Sequence, residues 1–177
     1  SLVGNGDSET FSNLLADEYL LEELTPSGWQ LTNVNCSGEE VFENGGTITL
    51  SPGEDVECVF TNTQEGTIIV EKQTIPDGEL QTFSFSDDVA GTISDGGTIA
   101  VSGLLPDTYT STETIPSGWT LTDISCDDSN SSGDLGTATA TFNLEAGEIV
   151  TCTFTNTRDT GDLTVLKNVD LNGDGDY

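Results

Sequence analysis

Three side chains at predicted inward positions of this 177-residue chain have the types needed to form a covalent crosslink. Lys72 lies in the alternating segment TIIVEKQ, so it shares one face of a predicted strand with Ile68 and Val70. Glu113 and Asn156 have the same core-facing parity on two other predicted strands. Burial disfavours the charged forms of Lys and Glu. A neutral lysine amine can then attack the asparagine carboxamide while a glutamic acid shuttles the proton, which releases ammonia and leaves an amide bond.

A second set of the same residue types lies elsewhere in the chain. The segment EDVECVFTNTQ, which contains Asn62, nearly repeats EIVTCTFTNTR, which contains Asn156. Glu23 occupies the matching glutamate position, and Lys167 ends a segment, GDLTVLK, that echoes GTIIVEK. A single Lys or Asn near a strand end is usually solvated or caps a turn. Because the only two lysines occupy equivalent inward positions, the pattern favours crosslinking.

Internal repetition and strand periodicity predict an all-β chain of tandem immunoglobulin-like β-sandwich domains. YLLEELTPSGWQLTNVNC aligns without gaps on YTSTETIPSGWTLTDISC, and short alternating segments are separated by Gly, Pro, Asp and Ser turns. We predict a first sandwich over residues 1–64 that lacks its opening strand, and a complete sandwich over residues 65–158. Residues 159–177 are predicted to be the opening strand of a further repeat or a donor strand for a neighbouring subunit.

The first repeat has no counterpart of residues 66–90, because SNLLADEY aligns with SGLLPDTY and little sequence precedes it. A sheet without that segment would expose apolar side chains and unpaired backbone groups. Two explanations stay open: the chain is a piece of a longer tandem array, or the end of one copy completes the first sandwich of the next. The second predicts head-to-tail assembly of copies, in which Lys167 of one copy reaches Asn62 and Glu23 of another.

The four cysteines pair naturally within the repeats. Each repeat has one Cys after its PSGW segment and another in its closing strand, which predicts the disulfides Cys36–Cys58 and Cys126–Cys152. Disulfides indicate an oxidising, extracellular compartment. A metal site is less favoured, because two Cys per repeat and no His are too few soft ligands. Free buried thiols are the second alternative.

The charge of the chain excludes several classes of partner. Three Lys or Arg against 32 Asp or Glu give a formal net charge of −29 at pH 7, which repels nucleic acid and anionic membrane surfaces. No apolar run is long enough to insert into a membrane. The absence of His disfavours an enzyme acting on external substrates, so single-turnover crosslinking is the only catalysis expected.

Sequons at Asn35 and Asn130 permit glycosylation in an extracellular setting.

The acidic end of the chain has the spacing of a calcium loop. Alternate residues of DLNGDGDY carry side-chain oxygens, and the glycines between them let the backbone fold around a hard cation. The predicted Ca²⁺ ligands are Asp170, Asn172, Asp174 and Asp176. A solvated acidic turn is the alternative, because the bidentate Glu that completes such loops would lie beyond Tyr177.

These motifs carry a family resemblance that covers essentially the whole chain. The opening strand ending in Lys (GTIIVEK), the Y-x-x-x-E-x-x-P-x-G-W segment and the closing FTNT resemble the collagen-adhesin B-type domains, also called SpaA-like or prealbumin-like, of bacterial and archaeal surface proteins and pilins. The resemblance implies a spontaneous isopeptide bond between Lys72 and Asn156, assisted by Glu113. For the first repeat it implies an isopeptide bond to Asn62, assisted by Glu23, with the lysine supplied from elsewhere. The predicted disulfide departs from the pattern of this family and could replace the isopeptide bond as the covalent link within the domain.

Two functions from different classes are compatible with these observations. Nearly identical repeats favour a structural subunit of an extracellular fibre, pilus or surface stalk, built from copies of the chain head to tail. The alternative is an adhesin module whose loops bind a ligand. The one marked difference between the repeats is the loop Asp127–Gly136. This loop is polar and lacks aromatic residues, so it is poorly suited to binding a protein or sugar ligand. Trp29 and Trp119 lie in the shared PSGW turns and are predicted to pack inside the domains.

Overall fold

The computed structural model of the chain describes residues 4–36, 39–42 and 46–167, and these residues form fourteen β-strands and no helix. The all-β prediction is confirmed for the described part of the chain. The described residues group into two compact units. Residues up to Ile69, Ala100–Tyr109 and Phe142–Val150 form one unit, and Val70–Ile99, Thr110–Thr141 and the residues from Thr151 onward form the other.

Five strands precede Gly66 and form two small sheets. They are β1 (Glu18–Leu21), β2 (Trp29–Cys36), β3 (Glu39–Phe42), β4 (Gly46–Thr49) and β5 (Cys58–Gln64). β1 pairs with β4, and β2 lies between β3 and β5. The buried residues Leu31, Val34 and Cys36 of β2 form a core. The partly buried apolar residues packed against that core are Leu21, Ile48, Val56, Cys58 and Phe60.

Nine further strands form two larger sheets that face each other as a sandwich. They are β6 (Gly66–Ile75), β7 (Phe83–Asp87), β8 (Gly91–Ile93), β9 (Thr98–Leu104), β10 (Asp107–Thr114), β11 (Trp119–Cys126), β12 (Ser132–Asp134), β13 (Thr139–Leu144) and β14 (Ile149–Arg158). One sheet has the order β12-β13-β10-β7-β8 and the other β11-β14-β6-β9. Edge-to-face aromatic contacts join the sheets, since Phe83 packs on Trp119 and Phe85 on Phe154.

Both repeats hold their closing strand in the same register against its antiparallel neighbour. The opposed residues are Cys36 with Cys58, Leu31 with Asn62, Cys126 with Cys152 and Leu121 with Asn156. In each pair a bulge separates the cysteine from the asparagine, at Thr32 in β2 and at Thr122 in β11. Each of these threonine hydroxyls donates a 3.1 Å hydrogen bond to a carbonyl of the closing strand. The internal repeat of the sequence is therefore also a repeat of strand pairing.

The PSGW turns that lead into β2 and β11 need glycine. In the first turn the Trp29 N–H donates to the Pro26 carbonyl oxygen at 3.2 Å. Gly28 has a φ of 80° and Gly118 a φ of 84°, a conformation that residues with a Cβ rarely adopt. Both turns thus set the start of the strand that pairs with the closing strand.

The described residues that follow β14 form no strand. Residues 159–167 are exposed, and Leu163, Val165 and Leu166 are 87%, 81% and 83% exposed. This stretch contains the apolar side chains of the predicted opening or donor strand. Its proposed pairing concerns a further repeat or a second copy, so that role stays a prediction.

Candidate crosslinking site

Three strands of the nine-stranded sandwich bring Lys72, Glu113 and Asn156 together in its interior. Lys72 comes from β6, Glu113 from β10 of the opposite sheet and Asn156 from β14. Lys72 and Asn156 are fully buried and Glu113 is 4% exposed. Their inward orientation follows from strand alternation, because Val70 before Lys72 and Phe154 before Asn156 are also fully buried.

The Lys72 Nζ donates three hydrogen bonds within this interior. It lies 2.8 Å from Asn156 Oδ1, 2.9 Å from the Phe154 carbonyl oxygen and 2.7 Å from the Gln73 carbonyl oxygen. Glu113 Oε1 is 3.6 Å away, within ion-pair range. The reacting carboxamide and the carboxyl group therefore both lie beside the amine.

Two groups of the cluster have polar atoms without a hydrogen-bond partner. Both carboxyl oxygens of Glu113 and the Nδ2 of Asn156 are buried and make no hydrogen bond of acceptable geometry. Unpartnered buried polar atoms are costly and uncommon in folded proteins. In the reaction considered above, Asn156 Nδ2 is the leaving group and Glu113 carries its proton. The polar atoms without a hydrogen bond are thus the atoms that would react.

Aromatic side chains shield the Lys72 amine from water. The Lys72 Nζ lies 4.2 Å from the ring centroid of Phe83, and that ring packs against Trp119 at 5.3 Å between centroids. The contact with the π face favours a cation, but the ring also contributes to the burial that disfavours it. Sequence alternation places Phe83 inward, whereas its position over Lys72 depends on how the two sheets are stacked.

Burial moves both ionisable groups of the cluster towards their neutral forms. Desolvation lowers the pKa of Lys72 from 10.5 to about 8, against the opposing attraction of Glu113. Desolvation also raises the pKa of the Glu113 carboxyl. The charge of Lys72 and the nearby Asn156 amide act in the opposite direction and lower this pKa. A neutral amine beside a protonated carboxyl is the pairing that amide formation requires.

The arrangement can therefore carry out one reaction on itself. The Nζ of Lys72 is close enough to attack Cγ of Asn156, with Glu113 accepting the amine proton and delivering a proton to Nδ2. The products are an amide between the two side chains and free ammonia. Because three strands hold the reacting groups in place, the reaction does not need separate reactants to meet in solution.

The first repeat contains only part of the same cluster. Asn62 Nδ2 donates a 2.7 Å hydrogen bond to Glu23 Oε1. Asn62 Oδ1 and Glu23 Oε2 are buried and have no hydrogen-bond partner. No lysine precedes Lys72 in the sequence, and Lys167 is exposed. The predicted Glu and Asn of this repeat are thus brought together without an amine.

Both sandwiches contain a disulfide. The bonds join Cys36 to Cys58 and Cys126 to Cys152, and the described residues include no free cysteine. Each bond links two neighbouring strands at the end of the pairing opposite the asparagine. The prediction that both tryptophans pack inside the domains is confirmed for Trp119, which is 8% exposed, and is wrong for Trp29, which is 42% exposed.

The sequence did not point to three contributors to the site. The carbonyl oxygens of Gln73 and Phe154 accept hydrogen bonds from Lys72 Nζ, and Phe83 covers the amine. Backbone acceptors leave no signature in residue types. The alternation in TFSFS is a signal that places Phe83 inward, but it does not specify the neighbour.

The predicted calcium ligands Asp170, Asn172, Asp174 and Asp176 lie outside the described residues. Among the residues that the structure does describe, no group of three or more His, Cys, Asp or Glu side chains is placed to hold a metal ion. The same part of the chain contains no helix of the length and hydropathy that a membrane span needs.

Comparison with known families supports the fold. A family model described as a prealbumin-like fold domain matches residues 3–64 and 68–158. The chain belongs to this prealbumin-like family. Two separate segments match, in keeping with the internal repeat, and the resemblance drawn from the sequence motifs is confirmed.

Solved structures with remote similarity include an adhesin and a minor pilin. A bacterial adhesin from Mobiluncus mulieris, containing intramolecular disulfide, isopeptide and ester bond cross-links, is 12% identical with a TM-score of 0.46, over 74% of this chain and 62% of that chain. GBS52, the minor pilin of Streptococcus agalactiae, is 15% identical with a TM-score of 0.37, over 73% of each chain. The Bacillus anthracis TIE protein is 20% identical with a TM-score of 0.38, over 82% of this chain and 26% of that chain.

The present chain thus spans less than two thirds of the length of the Mobiluncus adhesin. A comparison with curated protein sequences finds no significant match. The family assignment therefore depends on the matched domain segments.

Proposed function

We propose that this prealbumin-like chain is a structural segment of an extracellular stalk, fibre or pilus. In the proposal, each sandwich is stapled by its disulfide, and the nine-stranded sandwich is also stapled by an isopeptide bond between Lys72 and Asn156. The observation that carries the proposal is the fully buried contact of 2.8 Å between Lys72 Nζ and Asn156 Oδ1, with Glu113 at 3.6 Å. Membership of the family and the two disulfides support an oxidising, cell-surface location.

The position of the proposed bond suits a protein that carries tension. β6 opens the nine-stranded sandwich, β14 closes it, and the two strands are neighbours in one sheet. A force applied along the chain would pass from β6 through the Lys72 side chain to Asn156 and leave through the end of β14. The chain between the two residues, including the Cys126–Cys152 disulfide, would bear no load. A stalk needs such resistance to extension, whereas an enzyme or a transient binder does not.

The alternative of a ligand-binding adhesin module has less support from the described residues. The segment Asp127–Gly136, which distinguishes the repeats, contains the short strand β12 and also makes local hydrogen bonds. Ser131 Oγ donates to Asp128 Oδ2 at 2.7 Å, and the Gly136 N–H donates to Asp134 Oδ1 at 2.8 Å. Its side chains are acidic or small apart from Leu135, which is 48% exposed, and it has none of the aromatic residues that commonly anchor a partner.

Force spectroscopy on the whole chain, held at its two ends in reductant, tests this function. Lys72 and Asn156 are 84 residues apart, so unfolding a sandwich without the bond releases roughly 290 Å of additional contour at about 3.5 Å per residue. We expect this release in the K72R variant and not in the wild type. N62A is the matched control, because it changes the corresponding asparagine of the first repeat and should behave as the wild type does. Equal release from K72R and wild type would contradict the proposed load path.

A further inference from the structure

A tight turn between β8 and β9 holds the backbone of Lys72 on both sides. Residues 94–97 form this turn, which carries the chain from one sheet to the facing sheet, because β8 pairs with β7 and β9 lies beside β6. The Lys72 N–H donates to the Gly97 carbonyl oxygen at 3.0 Å, and the Gly96 N–H donates to the Lys72 carbonyl oxygen at 2.8 Å. The turn therefore fixes the main chain from which the reactive amine extends.

Asp95, in the same turn, holds the segment that follows Lys72. Its Oδ1 accepts a 2.6 Å hydrogen bond from the Thr74 N–H, and its Oδ2 accepts a 2.8 Å hydrogen bond from the Gly78 N–H. Hydrogen bonds to an ionised carboxylate are stronger than those between neutral groups. One carboxylate thus connects the end of β6 with the loop that leads away from it.

One peptide unit connects this carboxylate to the Lys72 amine. The N–H that Asp95 binds belongs to Thr74, and the carbonyl of the same peptide unit belongs to Gln73. The N–H and C=O groups of a trans peptide point to opposite sides of a rigid plane. The Gln73 carbonyl oxygen accepts a 2.7 Å hydrogen bond from Lys72 Nζ. By fixing the Thr74 N–H, Asp95 therefore directs the Gln73 carbonyl towards the amine.

The same hydrogen bonds keep the Asp95 carboxyl ionised. The Gly78 N–H holds the pKa of Asp95 below its usual range, against the effect of burial, and hydrogen bonds with Asp77 and Thr74 act in the same direction as Gly78. The turn beside Lys72 therefore carries a negative charge at neutral pH.

The charged groups that act on the Lys72 amine come from two elements. Desolvation lowers the pKa of this amine most, and the carboxylates of Glu113 on β10 and Asp95 in the turn raise it. The strands β14 and β7 contribute Asn156 and Phe83, which are uncharged. Removal of the Asp95 charge should therefore lower the pKa of Lys72 further.

We propose that Asp95 is a positioning residue of the crosslinking site, which orients the Lys72 amine towards Asn156. This role rests on the proposed function and deepens it, because Asp95 acts without touching the reacting carboxamide. Asp95 takes no proton and forms no covalent bond in the reaction. It holds the peptide unit that orients the amine, while the proton passes through Glu113.

Titration of the Lys72 amine tests this action independently of the bond. In the N156A/K167R chain Lys72 is the only lysine and has no carboxamide to attack, so isotope-labelled lysine gives a single NMR signal that follows its protonation. We expect the further change D95N to shift the midpoint to lower pH. An unfolded chain would move it the other way, towards the ordinary lysine value of 10.5.

The matched control for D95N is D88N. Asp88 also accepts a backbone hydrogen bond, from the Thr110 N–H at 2.8 Å, but it is not among the groups that act on the Lys72 amine. We expect D88N to leave the Lys72 midpoint unchanged. A midpoint that D95N and D88N leave equally unchanged would overturn the proposal.

The rate of bond formation tests the positioning itself. Chains that retain Asn156 in the K167R background are recovered unfolded in denaturant, diluted into oxidising buffers over a series of pH values, and followed by the loss of ammonia in intact mass. We expect D95N to have a maximum rate roughly 10-fold or more below that of K167R, because misplacement of a reacting group is costly. Its rate profile should also lie at lower pH, and D88N should match K167R in both respects.

A second variant separates charge from geometry. D95E keeps the charge but moves the carboxylate relative to the Thr74 and Gly78 N–H groups, so we expect a lower maximum rate with the profile at the pH of K167R. Equal maximum rates for D95N and K167R would overturn the proposal, as would a D95E profile shifted like that of D95N. A K167R chain that never loses ammonia would overturn the proposed bond instead, and the titration would still decide whether Asp95 acts on the amine.

Discussion

Lys72 is a fully buried amine in a chain that has few cations and many carboxylates. Burial of an ammonium is costly, and here it is offset by three hydrogen bonds and by the carboxyl group of Glu113. Asn156 Nδ2 and the Glu113 oxygens still lack a hydrogen bond, so these contacts do not satisfy every polar atom of the cluster. Conversion to an amide would remove both the buried charge and the unpartnered amide nitrogen. We therefore expect the linked state to be the more stable one.

Replacing Glu113 with Gln should slow bond formation without changing the shape of the site. A Gln cannot accept the amine proton, and general acid–base catalysis is typically worth about 10² to 10⁴ in rate. We expect the E113Q variant to form the bond roughly 10²-fold or more slowly, as followed by the loss of ammonia in intact mass over time. The matched control is E23Q, whose Lys72–Asn156 bond should form as in the wild type. A fully linked E113Q chain at the first time point would remove Glu113 from the mechanism.

The stability of an unlinked variant should rise with pH in a defined window. In N156A the amine of Lys72 cannot react, and burial lowers its pKa from 10.5 to about 8. Between these values the unfolded chain binds the proton and the folded chain does not, so the free energy of unfolding increases as the pH rises. At about 1.36 kcal/mol per pKa unit, the gain from pH 8 to 10.5 is about 3 kcal/mol.

Denaturant unfolding of N156A and of the double variant K72M/N156A measures this gain. The double variant has no amine at this position, so the difference between the two free energies isolates Lys72. We expect that difference to change by about 3 kcal/mol across the window and to stay constant below pH 7. A difference that is flat from pH 7 to 10.5 would show that the buried amine is not desolvated.

The closing strand β14 carries the disulfide near one end and the proposed crosslinking residue near the other. Its pairing with β11 places Cys152 opposite Cys126 at one end and Asn156 opposite Leu121 near the other. The disulfide and the proposed isopeptide bond therefore secure different parts of the strand. Each should form without the other.

The C126A/C152A variant tests that independence. A disulfide closing a loop of 26 residues is worth about 3 kcal/mol, so the thermal unfolding of the second sandwich should shift to lower temperature. Fluorescence of Trp119 in a W29F background reports that sandwich. C36A/C58A is the matched control and should leave the Trp119 transition in place. The intact mass of C126A/C152A should still show the loss of ammonia, and retention of that ammonia would show that the disulfide is needed to position Asn156.

Much of this arrangement follows from strand alternation. Alternation predicts that Lys72, Glu113 and Asn156 face inward, and the repeat predicts the two disulfide pairs. It does not predict that β6 lies beside β14, or that Phe83 of the facing sheet covers Lys72. Those contacts depend on long-range sheet order and stacking, which residue types do not encode locally. The different exposure of Trp29 and Trp119 has the same origin, because the two PSGW turns are identical in sequence.

At the scale of the whole molecule, the net charge of −29 makes the chain sensitive to cations. Any salt will screen self-repulsion, whereas the calcium loop predicted at the acidic end would bind Ca²⁺ specifically. Titration calorimetry with Ca²⁺ should show saturable binding that the D174A variant loses. Mg²⁺ at the same ionic strength is the control for screening. Equal heats from Ca²⁺ and Mg²⁺, or unchanged binding by D174A, would assign the sequence to a solvated acidic turn.

The intact mass of the K167R chain, reduced and denatured, shows whether the second sandwich closes itself with an amide between Lys72 and Asn156, because in that variant Lys72 is the only remaining lysine. We predict a mass one ammonia below the sequence value, together with a peptide that joins Lys72 to Asn156. We also predict the full sequence mass for the K72R/K167R chain. A K167R chain at the full sequence mass would show that the amide does not form.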